Sequence, residues 1–159
     1  MNRLNVQRAK DIISQIEYAT LATADRTGQP WNSPVNIACD DSYNFYWISP
    51  AAAQHTQNIT ENPRVFLVIY DSRASQGERE GVYIKALAST VEDKQEVAKA
   101  LELQARRRKK SIEDMNLWYE SSNLKIYKAS PQQIWVNETR DLGHKFVDER
   151  VEIPLADLV

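Results

Sequence analysis

Two histidines, a single cysteine and one run of five cations are the side chains of this sequence whose types suit chemistry. A histidine can hold an oxyanion or move a proton near neutral pH. His55 sits in Gln54-His55-Thr56, and taken alone it reads as a residue on the surface of a helix. His144 follows Gly143, and its neighbours assign it no role. Cys39 adjoins Asp40 and Asp41, whose charges raise a thiol pKa, so a nucleophile is not expected there. One cysteine makes no internal disulfide, and no Cys/His cluster has zinc spacing. The run Arg106-Arg107-Arg108-Lys109-Lys110 invites a nucleic-acid reading. It carries no interleaved aromatics, however, and falls near the end of a helix, where the dipole favours cations. A solvated helix end is the expectation. With 20 Lys and Arg against 22 Asp and Glu, the net charge is −2. Nothing in that balance draws the chain to nucleic acid or to a membrane surface.

The elements that must position these residues follow from periodicity. Val6, Ala9, Ile12, Ile13 and Ile16 are spaced by threes and fours, which predicts an amphipathic helix over Asn5 to Glu17. Ala19 to Ala24 alternates and then meets Asp25-Arg26-Thr27-Gly28, a strand running into a tight turn with Gly28 free to take positive φ. Trp31 to Cys39 and Tyr43 to Ser49 follow as strands, so two hairpins in succession predict an antiparallel meander. Ala52 to Glu61 has the composition of a short helix, stopped by Asn62-Pro63. Val65 to Tyr70 is a continuous apolar run and is expected to be a strand buried on both faces. Gly81 to Val91 is a long strand. Asp93 followed by Glu96 has the form of a capping box, with Val97, Leu101 and Ala105 as the stripe beyond it. Ser111 to Tyr119 reads as a second short helix, and Leu124 to Lys128 and Gln133 to Val136 as two more strands. The tail from Arg140 is mixed and unassigned.

This makes the fold class mainly β: six or seven antiparallel strands joined mostly by short turns, with peripheral helices, in a closed barrel. A ferredoxin-like α+β sandwich competes with it. At 159 residues the chain is expected to form one domain spanning residues 1–159. No apolar run approaches the roughly 20 residues that span a bilayer, and Met1-Asn2-Arg3 opens a polar helix rather than a leader. No membrane partner and a cytoplasmic location are the expectations.

Several pieces stand in a characteristic order. The hairpin Ala19-Thr20-Leu21-Ala22-Thr23 to Gly28-Gln29-Pro30 is followed by Asn32-Ser33-Pro34-Val35-Asn36-Ile37, then Phe45-Tyr46-Trp47-Ile48-Ser49. Gln54-His55-Thr56-Gln57-Asn58-Ile59 then leads into Asn62-Pro63-Arg64-Val65-Phe66-Leu67-Val68. Together Tyr18 to Asp71 resembles the core of the pyridoxamine 5′-phosphate oxidase-like, FMN-binding split barrels. Gly81 to Glu92 and Ile126 to Trp135 resemble later strands of the same family.

The resemblance implies a split barrel that binds FMN at a homodimer interface and works as an oxidoreductase on a small molecule. By resemblance, Asn32, Ser33, Pro34, Val35, Asn36 and Ile37 line the ring slot, and Trp47, Ile48 and Ser49 form its neighbouring edge. Gln54, His55 and Thr56 would meet the phosphate, where free N–H groups and the helix dipole favour an anion. Trp47 also suits a core, and Asn36 needs a partner if buried. The loop Asp71 to Glu80, with Arg73, Arg79 and Glu80, is a candidate to reach a partner's flavin. The sequence departs from the oxidase proper where an arginine gives way to Asn32, a lysine to His55 and the preceding arginine to Gln54. The family's glutamine contact falls near Gly81, and its C-terminal arginine and histidine motif is missing from Arg140 to Val159. A vitamin B6 substrate is therefore not expected. The alternatives are a flavin-binding or sensing protein without turnover and a haem-binding or haem-degrading relative, for which only His55 and His144 offer an axial ligand.

Overall fold

The computed structural model describes residues 3–74, 80–141 and 146–159. In chain order these form α1 (Arg3–Gln15), β1 (Tyr18–Ala24), β2 (Pro30–Asn36), β3 (Ala38–Cys39), β4 (Phe45–Pro50), α2 (Gln54–Glu61), β5 (Arg64–Tyr70) and β6 (Gly81–Thr90). They continue as α3 (Lys94–Arg108), α4 (Ile112–Glu120), β7 (Leu124–Asp141), β8 (Phe146–Ile153) and α5 (Leu155–Leu158). The strands make one antiparallel sheet in the order β2-β1-β5-β6-β7-β4-β3, with β8 added on β7.

Period-2 alternation sets which way each strand faces. Along β1, Ala19, Leu21 and Thr23 are buried, and along β5 so are Val65, Leu67 and Ile69. Phe66 and Val68, on the other face of β5, are only half-buried, so this strand is not buried on both sides as its composition suggests. The first turn forms as expected. Asp25 Oδ1 accepts from the Thr27 and Gln29 amides at 2.8 and 3.0 Å, and Gly28 takes φ 87°.

The expected meander does not form. The hairpins β1–β2 and β3–β4 are present, but β4 pairs with β7 rather than with β2. β2 and β3 are separated in sequence by Ile37 alone, yet they lie at opposite ends of the sheet. The chain bends at Ile37, 1 % exposed, and carries the sheet around until its ends approach without pairing. That gap makes the barrel split rather than closed.

α3 spans the gap. Gln104, fully buried, donates from Nε2 to the Tyr46 carbonyl of β4 at 2.8 Å and to the Asn36 carbonyl of β2 at 3.3 Å. The barrel interior holds Leu21, Phe45, Trp47, Leu67, Ile84 and Ile134. A second cluster lies where α3 and α4 cover the outside of β4 and β7, with Leu101, Ala105 and Met115 against Tyr46 and Ile126. Asp93 caps α3 as its sequence predicts, accepting from the Glu96 amide at 2.9 Å. The reciprocal half of the box is absent, because Glu96 instead meets Lys128 Nζ at 2.6 Å and the Tyr46 hydroxyl at 3.1 Å. The basic run is only partly solvated. Arg107 donates to the Ile13, Ser14 and Ile16 carbonyls at the end of α1, and Arg108 lies over the Trp118 ring at 5.5 Å.

The outer face of β2, β1, β5, β6 and β7 is left open and is aromatic. Phe66 stacks on Trp135 with centroids 6.2 Å apart, and the Arg150 guanidinium lies 4.1 Å from the centre of the Tyr83 ring. Among the described residues, no helix is long and apolar enough to cross a membrane.

Candidate cofactor site

α2 starts without a side-chain cap, because its N-cap residue is Ala53. The first N–H groups of a helix have no intrahelical acceptor, and here no side chain replaces one at the cap. Thr56 locks the approach to this end. Its hydroxyl, 1 % exposed as a residue, lies 2.6 Å from the Ala53 carbonyl, 2.9 Å from Ala51 and 3.1 Å from Pro50.

His55 turns back onto β4, with Nε2 3.0 Å from Ser49 Oγ. In either tautomer this pair leaves one polar hydrogen for an outside acceptor. If Ser49 donates to Nε2, Nδ1–H is left; if Nε2–H donates, the hydroxyl hydrogen is left. Burial lowers the His55 pKa, which favours the neutral ring.

A cation comes instead from β7. Lys125 pairs in register with Ser49, so both side chains leave the same face of the sheet. Tyr127, two residues along that face, meets Thr56 with its hydroxyl, which sets the start of α2 over this part of β7. Lys125 is exposed. No motif announces this lysine; only the β4–β7 register brings it here.

A polar chain fixes α2 against β1 and β2. Gln54 Nε2 donates to Asn58 Oδ1 at 2.9 Å, Asn58 Nδ2 to Thr23 Oγ1 at 3.0 Å, and Thr23 Oγ1 to the Trp31 carbonyl at 3.4 Å. β2 is an end strand of the sheet, with Asn32, Pro34 and Asn36 on its outer face beside Ala22, Thr20 and Tyr18. Asn36 Oδ1 is buried with no hydrogen-bond partner, as is Trp47 Nε1. Such atoms are costly unless something supplies the missing partner.

The uncapped start of α2, the His55–Ser49 pair and Lys125 thus lie together at one end of the barrel, with the end strand β2 beside them. The model for the family "Pyridoxamine 5′-phosphate oxidase" matches residues 6–137. The chain belongs to that family. No curated protein matches it in sequence. Among solved structures it is similar to the haem storage protein HutZ of Vibrio cholerae, at 19 % identity and TM-score 0.70, over 82 % of this chain and 92 % of that one. ChuZ of Campylobacter jejuni matches at 13 % identity and TM-score 0.72, over 94 % of this chain and 62 % of its own. A haem-binding protein of Mycobacterium smegmatis matches at 17 % and 0.68, over 91 % and 57 %. At such identities these likenesses carry the split-barrel fold alone.

Within this oxidase-like family member, the residues singled out in the sequence fall into separate groups. Ser49, His55 and Thr56 converge, with Gln54 exposed at their side. Asn32, Ser33, Pro34 and Asn36 lie along β2. Val35, Ile37 and Trp47 are buried in the barrel interior, where Trp47 stacks on Tyr127 at 5.8 Å. Ile48 points the other way, into the cluster under α3 and α4. Arg73 lies 3.6 Å from Asp71, Glu80 pairs with Arg8 at 2.7 Å, and the Gly81 amide donates to Asn137 Oδ1 at 2.7 Å. Arg79 and His144 lie outside the described residues. Cys39 is half-buried, and burial first, then Asp40, pushes its thiol pKa up to about 12.

Proposed function

We propose that this protein binds FMN as a homodimer and serves as an oxidoreductase toward a small molecule. The observation that carries the reading is the His55–Ser49 pair beside the uncapped start of α2, with Lys125 in register. A phosphate suits this place: helix N–H groups, one polar hydrogen from the pair and an ammonium group are all complementary to an oxyanion. The unpartnered Asn36 Oδ1 and the end strand β2 suit hydrogen-bonding edges of a flavin ring. Bound FMN would supply the electron transfer. The chain's own part is to hold the phosphate, orient the ring along β2 and keep water from it.

A second copy of the chain is the natural cover for the aromatic outer face. Tyr18 and Tyr70 on that face remain 57 and 47 % exposed, which is much apolar surface for one molecule to leave in water. Such a copy would also close the ring slot from the open side.

Purification tests the reading directly. The protein should be yellow, and heat should release FMN identifiable by mass. Colourless protein that takes up no added FMN would overturn the proposal. A Soret band would transfer the site to haem, although His55, the imidazole among the described residues, is already engaged with Ser49. Oxidation of a reduced nicotinamide, or of a candidate substrate, separates an enzyme from a flavin binder without turnover.

A further inference from the structure

On the side of α3 away from α4, a cavity of about 600 Å³ opens between the end of α1, the bend at β3 and the last turns of α3. That volume lies in the range of small-molecule sites. Its floor is apolar, with Ile13, Ile37, Ala38 and Leu103. Its rim is cationic, with Lys10, Arg106 and Lys109 in the wall and Glu17 as the one carboxylate lining it. Arg107 also lines it but is bound to the carbonyls that end α1. Among the described residues, Lys10, Arg106 and Lys109 have no ion-pair partner.

A second observation falls on the same cavity. Among the described residues, two that are not glycine have left-handed backbone: Tyr43 at φ 58° and Lys109 at φ 54°. Both line this cavity. A side chain in that conformation carries a steric cost, and such residues gather at ligand sites. Lys109 holds the helix-ending position that glycine usually takes. Tyr43 holds the turn between β3 and β4, its amide bonded to the Asp40 carbonyl at 2.9 Å. Glycine would relieve both positions, but it would remove an aromatic wall from one and a cation from the other.

We propose that this cavity binds an amphipathic organic anion: an apolar body on the Ile13–Ile37–Ala38–Leu103 floor and a single carboxylate or sulfonate at Arg106, Lys109 and Lys10. Cations without carboxylate partners bind an oxyanion by charge-assisted hydrogen bonds, and an apolar tail over Leu103 and the neighbouring floor removes apolar surface from water. Inorganic phosphate lacks the tail, and a neutral alcohol lacks the head. The site needs no flavin, and it lies on different elements from the His55–Ser49 pair.

Titrating the full-length protein with decanoate, followed calorimetrically and by methyl NMR, tests the assignment. Decanoate should bind with shifts confined to Ile13, Ile37, Ala38 and Leu103, and decanol at least tenfold more weakly. The exposed double variant R106E/K109E should fold normally by circular dichroism and lose decanoate binding at least tenfold, whereas R106K/K109R should retain it. Absence of decanoate binding, equal binding by decanol, unchanged binding in R106E/K109E, or shifts centred on the outer sheet face would each overturn the proposal.

Discussion

Lys125 stands opposite Ser49 across β4 and β7, and Ser49 in turn meets His55 at 3.0 Å. A lysine from one strand, a serine from its neighbour and a histidine from the following helix thus converge on one end of the barrel. Removing the charge while leaving the strand intact isolates its contribution. Lys125→Ala should weaken FMN about tenfold and leave riboflavin, which lacks the phosphate, unchanged. Flavin fluorescence titrations of both ligands check this. Equal losses for both would place Lys125 away from the phosphate, whereas a wild-type protein that binds neither would remove the flavin reading itself.

His55 gives the fold a pH dependence. Burial lowers its pKa, so below about 6.5 the unfolded chain takes up its proton first. Between the folded and unfolded pKa values the unfolded state binds more protons, and stability falls as pH drops through that window. His55→Gln should flatten this slope. Urea unfolding at several pH values checks it, and parallel slopes for the two proteins would refute it.

Gln104 should matter more than a glutamine usually does. Its amide serves two carbonyls, on β2 and on β4, that otherwise face each other across the gap in the sheet. Gln104→Ala should destabilise the protein by about 2 kcal/mol, since it leaves buried acceptors unpaired. Gln104→Leu should not recover the loss, because it restores volume and not the donors. The urea midpoint should shift at constant m-value.

Cys39 should be a poor thiol reagent target. With its pKa pushed up to about 12, almost no thiolate exists under mildly alkaline conditions. Alkylation by iodoacetamide in the folded protein should be about a thousandfold slower than in urea, from the difference in thiolate fraction. Comparable rates in the two states would show that the thiol is neither buried nor held protonated.

What sequence could and could not disclose divides along physical lines. Local signals were sufficient where neighbours in sequence decide the structure: the alternation of β1, the Gly28 turn, the Asp93 cap and the stop at Asn62-Pro63. The bend at Ile37 was hidden because closure of the sheet, not the adjacent residues, selects the partners of β2 and β4. In sequence β7 reads as two strands, Leu124 to Lys128 and Gln133 to Val136, because Ser130-Pro131 looks like a break. It is instead an irregularity inside one strand, where the β6–β7 register shifts between Lys85 and Ala86 and proline needs no ladder hydrogen bond. β8 carries no clear strand signal, because Glu149, Arg150 and Glu152 dilute any apolar alternation on a strand at the sheet's margin. For the candidate site, the sequence places Ser49 at the edge of a ring slot and His55 at a phosphate; that the two side chains meet depends on how α2 folds back on β4. Lys125, a whole sheet crossing away, was not legible.

The pairing of β4 with β7 also bears on how the chain is made. Phe45, Tyr46, Trp47 and Ile48 emerge from the ribosome long before Leu124 to Ala129, the stretch that must lie against them. Until then only the two residues of β3 flank that strand, and a bare apolar edge is a template for pairing with other chains. The barrel is completed from its end rather than its beginning. A chain ending before Leu124 would therefore not be a smaller version of this barrel; among its strands β4 would keep only β3 beside it and leave its other edge bare.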